Sequence, residues 1–435
     1  MHEFAIASYD LTMELAISRK ITTEGPRAQN VAHKSDDAAP PSRSFGVNVA
    51  PGPADDGWLT PPAVALGDGT QVQLYKDGEG LAAAYEAIKS ARRYIGLEVY
   101  IFASDQTGRA FAELLARKAR EGVSVFVIYD SFGSMESELR MFRMMRASGV
   151  RVQTFHPIRP WECQYSWRPF NRDHRKLLVI DDQIAGLGGL NIGNEYAGPW
   201  IVPHLLEPCD LWRDSAIGIV GPGAKLFRRA FAQTWNYIKR GGRIRKTELI
   251  DNLYEGDLGL MALAPTLNSP LRSFLYRTLR EARQSILMTM AYFAPDDPLI
   301  DGLCKAARRG VRVRLMLPGR CDVALVRICA RSFYETLLSA GVEIFERQGV
   351  ILHSKTMVID EQLSVVGSTN LDYRSIEYNC ELSAIVRSPA FGKQMCELFE
   401  NDIRFSDRIR LEAWRRRPRW DRFVQWGVSR ARYML

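Results

Sequence analysis

Short, continuously apolar runs alternate with helix-period segments along the chain, and this alternation occurs twice. ARRYIGLEVYIFA, residues 91–103, and ARQSILMTMAYFA, residues 282–294, share one frame at an offset of 191 residues. Each predicts the end of a helix and then a strand buried on both faces, because such a strand shows no polar alternation. A helix-period segment and a second apolar run follow in each copy, FAELLARKAREGV with SVFVIYD and IDGLCKAARRGV with RVRLMLP. The pattern therefore predicts one β-α-β step in each half.

The repetition continues to the end of each half. ASGVRVQTFHP at residue 147 aligns with SAGVEIFERQG at residue 339, and DSAIGIVGP at Asp214 aligns with ELSAIVRSP at Glu381. We therefore predict an α/β fold of two homologous halves, about residues 70–245 and 255–403, each with a mixed or parallel sheet covered by helices. If the halves pack about a pseudo-twofold axis, their equivalent strands meet at one site.

The two ends of the chain depart from this pattern. Seven of the 21 Pro fall between residues 21 and 69 with little apolar periodicity, so residues 1–69 are predicted to be a flexible or disordered segment. Residues 404–435 carry ten Arg against three acidic residues, which is nearly all of the net charge of +8. Because Trp is interleaved with these Arg, we expect this basic tail to contact an anionic membrane surface. A solvated basic helix and nucleic-acid binding are the alternatives.

Composition narrows the class of protein further. A hydrophobic content of 46% over 435 residues suffices for the cores of two globular domains. The seven Cys are odd in number and never fall in a C-x-x-C spacing, so neither a disulfide framework nor a zinc site is indicated. No run reaches the roughly 18 consecutive apolar residues that a membrane-spanning helix needs. We therefore expect a soluble or peripheral protein.

Two polar motifs interrupt apolar strands at matching places in the halves. HRKLLVIDDQIAGLGGLN begins at residue 174 and HSKTMVIDEQLSVVGSTN at residue 353, and both have the form H-x-K-x4-D-x6-G-[GS]-x-N. With six His in the chain, chance predicts roughly 0.015 copies of the H-x-K-x4-D core. Two copies in register with a repeat indicate a functional site. The candidate catalytic residues are His174, Lys176, Asp181, His353, Lys355 and Asp360.

The spacing of the motif suits the chemistry of a phosphodiester. Residues i and i+2 of an extended strand point to the same face, so each His projects beside its Lys. One imidazole can attack phosphorus while the other protonates the departing alcohol. The Lys ammonium groups and the amides of Asn191 and Asn370 are predicted to bind the phosphate oxygens. This chemistry requires no cofactor, and no metal is expected because Lys is a poor metal ligand.

Each catalytic His is expected to need a carboxylate that fixes its tautomer. The repeat nominates Asp214 and Glu381, aligned acids that each precede an apolar strand, and we expect Asp214 to serve His174. Asp181 and Asp360 end their strands, so capping of the following turn is the alternative to direct chemistry for both. The insert WECQYSWRPFNRD, residues 161–173, either lines the entrance to the site or covers it.

The two motifs resemble those of the phospholipase D superfamily over about residues 70–403. Within it, HRKLLVIDDQIAGLGGLNIGNEY, LWRDSAIGIVGP and GSTNLDYRSIEYNCELSAIV resemble bacterial cardiolipin synthases. The resemblance implies two α-β-α sandwich halves with one shared active site. It also implies transfer of a phosphatidyl group from one phosphatidylglycerol to a hydroxyl of another, with His174 as nucleophile and His353 as general acid and then base. The repeat alone leaves the exchange of these roles open.

The resemblance further implies a phospholipid substrate and a peripheral position at the cytoplasmic face of a bacterial cell membrane. The chain resembles the shorter synthases that lack N-terminal transmembrane helices. Hydrolysis with water as acceptor, and a phosphodiesterase or nuclease built on the same site, are the alternative functions, although nucleic acid is not the expected partner. Both motif copies are complete, which disfavours a catalytically silent lipid-binding protein.

Overall fold

Two mixed β-sheets, one in each half of the chain, form the framework of the protein. The computed structural model describes residues 57–158, 170–201, 211–241, 253–263 and 270–434. The strands of the first half are β1 (Val64–Ala65), β2 (Gln71–Lys76), β3 (Tyr94–Val99), β4 (Ser124–Asp130), β5 (Arg151–Phe155), β6 (Leu177–Ile180), β7 (Ile184–Gly188), β8 (Trp212–Arg213) and β9 (Ser215–Val220). Its helices are α1 (Gly78–Ser90), α2 (Gln106–Arg120), α3 (Leu139–Ala147), α4 (Asn194–Ala197) and α5 (Ala224–Lys239).

The second half repeats this series of elements. Its strands are β10 (Leu253–Glu255), β11 (Leu258–Leu263), β12 (Ser285–Met290), β13 (Arg312–Arg320), β14 (Glu343–Leu352), β15 (Lys355–Ile359), β16 (Leu363–Gly367), β17 (Glu381–Arg387) and β18 (Ser406–Ile409). Its helices are α6 (Pro270–Glu281), α7 (Asp297–Arg308), α8 (Ala324–Ser332), α9 (Tyr334–Ser339), α10 (Tyr373–Glu377), α11 (Pro389–Ile403), α12 (Leu411–Arg415) and α13 (Arg419–Arg430).

The two sheets have the same strand order. The first runs β1-β2-β9-β7-β6-β3-β4-β5 and the second β10-β11-β17-β16-β15-β12-β13-β14-β18. β3 and β4 are parallel, as are β12 and β13, which confirms the predicted β-α-β step in each half. β6 and β15, the strands inside the two polar motifs, lie antiparallel to β3 and β12 near the centre of their sheets. Both motifs are therefore held on buried strands.

A shared apolar core joins the halves. Val179 and Leu187 of the first sheet belong to the same buried cluster as Val358 and Leu382 of the second. Helices α5 and α11 contribute to this cluster, whereas α1, α2 and α3 cover the opposite face of the first sheet in a separate cluster. Each sheet thus has helices on both faces, and the predicted fold of two α-β-α sandwich halves is confirmed.

Strand β8 belongs to the second sheet although its residues lie in the first half of the chain. Trp212 and Arg213 pair in parallel with Ile351 and Leu352 of β14. The side chain of Arg213 forms a buried ion pair with Asp402 of α11, with 2.7 Å between Nη2 and Oδ2. The chain therefore crosses between the halves immediately before Asp214.

Both predicted tails require correction where the structure describes them. Residues 1–56 lie outside the described residues, but residues 64 and 65 form β1 at the edge of the first sheet, so the ordered part begins before residue 70. The tail predicted from residue 404 onwards extends the second half: β18 pairs with β14, and the ring of Trp414 lies 4.9 Å from that of Tyr334. Tryptophan spacing alone did not reveal that one Trp of this segment packs inward. In the part of the chain that the structure describes, no helix is long and apolar enough to cross a membrane.

Candidate active site

The two motif histidines face each other at the junction of the halves. The backbone N–H of His174 donates to Cys380 O at 2.9 Å, and that of His353 donates to Arg213 O at 2.8 Å, so each motif is anchored to the other half. The ring centroids of His174 and His353 are 6.5 Å apart with planes inclined at 74°. Both side chains are buried. The structure thus brings the two motifs into one site.

Each histidine receives its carboxylate from the opposite half. Nδ1 of His174 lies 3.1 Å from both carboxylate oxygens of Glu381, and Nδ1 of His353 lies 2.6 Å from Oδ2 of Asp214. The expectation that Asp214 serves His174 is therefore wrong, although both acids orient a histidine. Because Nδ1 of each ring is engaged, Nε2 is the nitrogen that is available for chemistry.

Sheet geometry explains the exchange of carboxylates. Within the first sheet β7 separates β9, which follows Asp214, from β6, which follows Lys176. Two strand spacings correspond to about 9–10 Å, which is too far for a hydrogen bond within the same half. The twofold arrangement instead brings the start of β17 against the residues before β6. A carboxylate contact across the halves is shorter than any contact that the sheet allows within one half.

The glycines of the motif make room for these carboxylates. A Cβ atom on Gly189 would lie 2.2 Å from Oδ1 of Asp214, and one on Gly188 would lie 2.5 Å from Ser215 O. Close backbone approach is therefore required here, and Gly permits it. The second half has Ser368 at the position of Gly189, and its hydroxyl donates to Glu381 Oε2. Asn379 Nδ2 also donates to Glu381 Oε1 at 3.3 Å.

Burial and neighbouring charges shift the pKa values of the two pairs. Burial lowers the pKa of His174, against the opposing effect of Glu381. Burial, with Lys355 and Lys176 adding to it, lowers the pKa of His353 well below its ordinary value. Burial raises the pKa of Asp214 to about 6. For Glu381 burial favours the neutral form, but His174, Lys176 and Ser368 together lower its pKa. At neutral pH the site therefore holds neutral imidazoles beside ionised carboxylates.

The two lysines lie beside the histidines, as the i, i+2 spacing predicts. Nζ of Lys176 donates to His174 O at 2.6 Å, and Nζ of Lys355 donates to His353 O. Burial lowers the pKa of Lys176 to about 7 and that of Lys355 to about 8. An ammonium has three donors, so each Lys has further N–H groups for the oxygens of an anion.

Asp181 and Asp360 do not reach the reacting groups, which corrects their place among the predicted catalytic residues. Five residues of extended chain separate Asp181 from Lys176, a distance of about 16 Å. The Asp181 carboxylate accepts backbone N–H groups of residues 92, 93 and 94 at 2.7–2.8 Å. The Asp360 carboxylate accepts those of residues 283, 284 and 285 at 2.7–2.9 Å. Each acid holds the start of the neighbouring antiparallel strand, β3 or β12, so its role is structural, although these contacts differ from the predicted capping of the following turn.

The two asparagines of the motif differ in their contacts. Asn191 Oδ1 accepts the backbone N–H of Ile101 at 3.0 Å, and its Nδ2 donates to the Tyr196 hydroxyl at 2.8 Å. Within the described residues, Asn370 Oδ1 is buried and has no hydrogen-bond partner. Phosphate binding by these two amides stays a prediction, and Asn191 also positions the loop that follows β3.

Three aromatic residues that the motifs do not contain line the site. The ring of Tyr100 lies 5.0 Å from that of His174, and the rings of Trp212 and Tyr196 lie 4.8 Å and 5.6 Å from that of His353. Trp212 carries a usable signal, because it stands two residues before Asp214 and extended residues with that spacing share a face. Tyr100 ends an apolar run and resembles a core aromatic, so its sequence gives no comparable indication.

The residues around the site indicate whether it can hold a metal ion and which segment lies next to it. In the described segments, no group of three or more His, Cys, Asp or Glu side chains could hold a metal ion. Residues 161–169 of the insert, which was expected either to line an entrance or to cover the site, lie outside the described residues. Its end is anchored by Arg172, which is buried and pairs with Asp130 at 3.3 Å. The arrangement as a whole offers a nucleophile, a proton donor and two cations to one anionic group.

Replacing Lys176 with Met should change how stability depends on pH. The pKa of an unfolded Lys is about 10.4, so from about pH 7 to pH 10 the unfolded chain binds about one proton more than the folded protein at this residue. The unfolding free energy gains about 1.4 kcal/mol per pH unit in this window from Lys176, and this gain is lost as the pH falls through the folded pKa. We expect the unfolding free energy of Lys176→Met, measured by urea denaturation, to rise less steeply than that of the wild type between about pH 7 and pH 9. Lys305→Met at the surface is the control, and equal slopes for Lys176→Met and the wild type would contradict the expectation.

Comparison with known proteins agrees with this geometry. A family model described as "Cardiolipin synthase, PLD-like domain" matches residues 85–197 and 275–403. Cardiolipin synthase 1 of Staphylococcus epidermidis (strain ATCC 12228 / FDA PCI 1200) is 32% identical over 360 residues, which cover 81% of this chain and 72% of that protein. Cardiolipin synthase A of Pseudomonas entomophila (strain L48) is 33% identical over 337 residues, which cover 77% of this chain and 68% of that protein.

The fold also matches a solved structure. The crystal structure of phosphatidylserine synthase from Haemophilus influenzae Rd KW20 superposes with a TM-score of 0.63 at 16% identity, covering 86% of this chain and 97% of that one. At this identity the match supports the fold alone. The family model and the curated relatives both carry the resemblance seen in the sequence. The chain belongs to the cardiolipin synthase family of the phospholipase D superfamily, a family of phosphatidyltransferases.

Proposed function

We propose that the protein is a cardiolipin synthase-type phosphatidyltransferase that works through a phosphohistidine. It takes a phosphatidyl group from one phospholipid, phosphatidylglycerol, and passes it to a hydroxyl of another with release of glycerol. The observation that carries this proposal is the pair of opposed imidazoles, 6.5 Å apart between centroids, each held at Nδ1 by a buried carboxylate. The names of the relatives indicate cardiolipin as the product, and the sequence resemblance implies phosphatidylglycerol as the substrate.

In the first half-reaction, His174 acts as the nucleophile. Its Nε2 lone pair attacks phosphorus, and the bond between phosphorus and the glycerol oxygen breaks. Nε2 of His353, on the far side, gives its proton to that oxygen, so glycerol leaves as a neutral alcohol. The substrate phosphate brings a negative charge between the rings, which favours the protonated form of His353 that this step needs. The phosphatidyl group remains bonded to Nε2 of His174.

In the second half-reaction, the acceptor lipid replaces glycerol. His353, now neutral, takes the proton of the acceptor hydroxyl while its oxygen attacks phosphorus, and the P–N bond to His174 breaks. Lys176 and Lys355 stabilise the charge that collects on the non-bridging oxygens in both steps, since their ammonium groups lie beside the two rings. Glu381 and Asp214 keep the rings oriented and stabilise the imidazolium that forms in turn.

The products formed from phosphatidylglycerol vesicles test this function. Cardiolipin together with free glycerol is the expected result for the purified full chain, because the acceptor is a second lipid. Lipid extraction with mass spectrometry and an enzymatic glycerol assay measure both products. His174→Ala and His353→Ala should each lower the rate by at least about 10²-fold. Phosphatidic acid instead of cardiolipin would indicate a hydrolase, and cleavage of DNA without any lipid turnover would exclude both lipid reactions.

A substrate with an activated leaving group separates the roles of the two histidines. The nitrophenolate of a nitrophenyl phosphatidyl ester leaves without being protonated. His353→Ala should therefore still release a burst of about one nitrophenolate per site. His174→Ala should show no burst, because the phosphohistidine cannot form. Rapid-mixing absorbance measures the burst against wild type. The reverse pattern would assign the nucleophile to His353.

We also propose a peripheral position at the cytoplasmic face of a bacterial membrane, which the sequence resemblance implies, with α13 as the contact. Trp420, Phe423 and Trp426 recur every three residues on one side of this helix and are 69%, 61% and 56% exposed. Their ring centroids are 5.6 Å and 6.2 Å apart, so they form one continuous stripe. Gln425, on the opposite side of the helix, is buried, which leaves the stripe facing outward.

The charge beside this stripe favours an anionic lipid surface. Exposed arginines flank it, namely Arg415, Arg416, Arg419, Arg422 and Arg430. A second copy of the same face would bring these like charges together, whereas anionic headgroups complement them. Indole rings beside Arg suit the boundary between headgroups and acyl chains. The stripe therefore fits a bilayer better than a dimer.

Replacing the three aromatic residues of the stripe with Ala should weaken binding to anionic vesicles. We expect Trp420→Ala/Phe423→Ala/Trp426→Ala to raise the apparent dissociation constant at least about tenfold in a sedimentation assay, because buried apolar area contributes to interfacial binding. Point substitutions are preferable to truncation, since β18 belongs to the second sheet. Leu59→Ala is the control, as Leu59 is an apolar side chain that is 85% exposed elsewhere. Unaltered sedimentation of the triple variant in moderate salt would contradict this surface.

A further inference from the structure

A cavity lies between α1 and the face of the first sheet that this helix covers. About 690 Å³ of space that no protein atom fills lies there, open solvent at its mouth included. Strands β3, β6, β7 and β9 form its floor, and α1 forms its roof. Apart from Tyr75, Glu98 and Lys176, every residue that lines it is apolar or Gly.

Small residues create this cavity. Gly186 of β7 and Gly218 of β9 pair directly across the two strands, and both line it. A Cβ atom on Gly186 would meet only Leu178 Cβ at 3.8 Å and Ile217 O at 3.9 Å, which are ordinary contacts. Neither neighbouring atoms nor a left-handed backbone therefore require Gly at this position. Because Gly inside a strand lowers stability and often marks close approach of a ligand, its presence needs another explanation.

The second half of the protein provides an internal comparison. The pair that corresponds to Gly186 and Gly218 is Val365 and Ile385, which face each other across β16 and β17. On the covering helix the offset of 191 residues that relates the halves places Phe274 and Leu275 of α6 where α1 has Ala83 and Ala84.

All four of these larger side chains are buried in the apolar core of the second half. The fold therefore accommodates a filled core at this place, and only the first half leaves it open. The same arrangement of helix and sheet can therefore hold larger side chains at these positions.

An empty apolar space of this kind lowers stability unless something occupies it. Apolar cavities stay dry and take up apolar ligands, so water is a poor occupant here. The position of Lys176 narrows the choice further. Lys176 lines the cavity, while its Nζ lies at the His174 carbonyl in the active site. A ligand that fits both places carries an apolar chain next to a phosphate.

We propose that this cavity binds one acyl chain of the phospholipid whose phosphate lies between His174 and His353. The inference rests on the proposed function for its substrate class. The chain enters beside Lys176, whose apolar stem and charged head match the join between acyl chain and headgroup. It then runs between α1 and the sheet over Gly186. One half of the duplicated fold thus recognises the lipid chain, while both halves supply the chemistry.

Filling the cavity tests the proposal independently of turnover. The full chain is stripped of lipid and titrated with a long-chain polyene fatty acid, whose fluorescence rises in an apolar environment. We expect saturable binding by wild type, and an apparent dissociation constant at least about tenfold higher for Ala84→Leu/Gly186→Val. Ala147→Leu, an exposed position on α3, is the matched control and should bind as wild type does. The single variant Ala84→Leu serves if the double variant fails to fold.

Turnover provides a second readout with a distinct outcome. The ratio of kcat/KM for dioleoyl over dihexanoyl phosphatidylglycerol should fall at least about tenfold in the double variant. The melting temperature of lipid-free protein should not fall, because the added methyl groups occupy apolar space.

Two results would overturn the acyl-chain site. One is a lack of fatty-acid binding by wild type, as expected if another segment of the chain fills the space. The other is equal binding by wild type and the filled variants. If fatty acid binds and the variants weaken it while no phosphatidylglycerol is turned over, the proposed function fails and the chain-binding cavity stands.

Discussion

The hydrogen bonds between each motif histidine and a carboxylate of the opposite half are the contacts on which the rest of the site depends. Asp214 and Glu381 are fully buried, and a buried carboxylate without a partner is costly. Neither half can pair its own acid with its own motif histidine, because a strand separates the two. Docking of the halves therefore completes the charge pairing and the active site in the same event. The shared apolar core and the Arg213–Asp402 ion pair hold the halves at the distance that these bonds require.

The same burial controls the charge state of the site. Two lysines, two imidazoles and two carboxylates are enclosed together, so each cation is poorly solvated and its pKa falls. A bound phosphodiester supplies the missing negative charge, and the lysine ammonium groups and one imidazolium then become favourable. Lys176 and Lys355 donate to backbone carbonyls until that anion arrives. The net charge of the site without an anion thus understates how well the site binds one. This property suits a reaction in which negative charge develops on phosphate oxygens.

Sequence periodicity predicted the elements of this fold and the motif residues, because both depend on local spacing. Buried strands show as apolar runs, and the His and Lys two residues apart share a face at any position in a sheet. The carboxylate pairing was predicted incorrectly, since strand order and the twofold contact are not local properties. Asp181 and Asp360 illustrate a related limit: a conspicuous acid at a strand end serves equally well to bind backbone N–H groups. The docking of Trp414 could not be distinguished from the exposure of Trp420 for the same reason.

Duplication supplies two copies of each catalytic group, but a transferase needs a nucleophile and an acid that differ. The two halves differ beside the carboxylates. Gly189 lies against Asp214, whereas the second half has Ser368 at this position, and its hydroxyl donates to Glu381. Burial favours the neutral form of both acids. For Glu381, His174 and Lys176 together with this added donor outweigh burial and lower the pKa, whereas burial raises the pKa of Asp214 to about 6. His174, paired with Glu381, therefore has the firmer anionic partner for a positive charge on its ring, which favours the nucleophilic role that we propose for it. The change from Gly to Ser within the repeat is thus one of the differences that make the two symmetric histidines unequal.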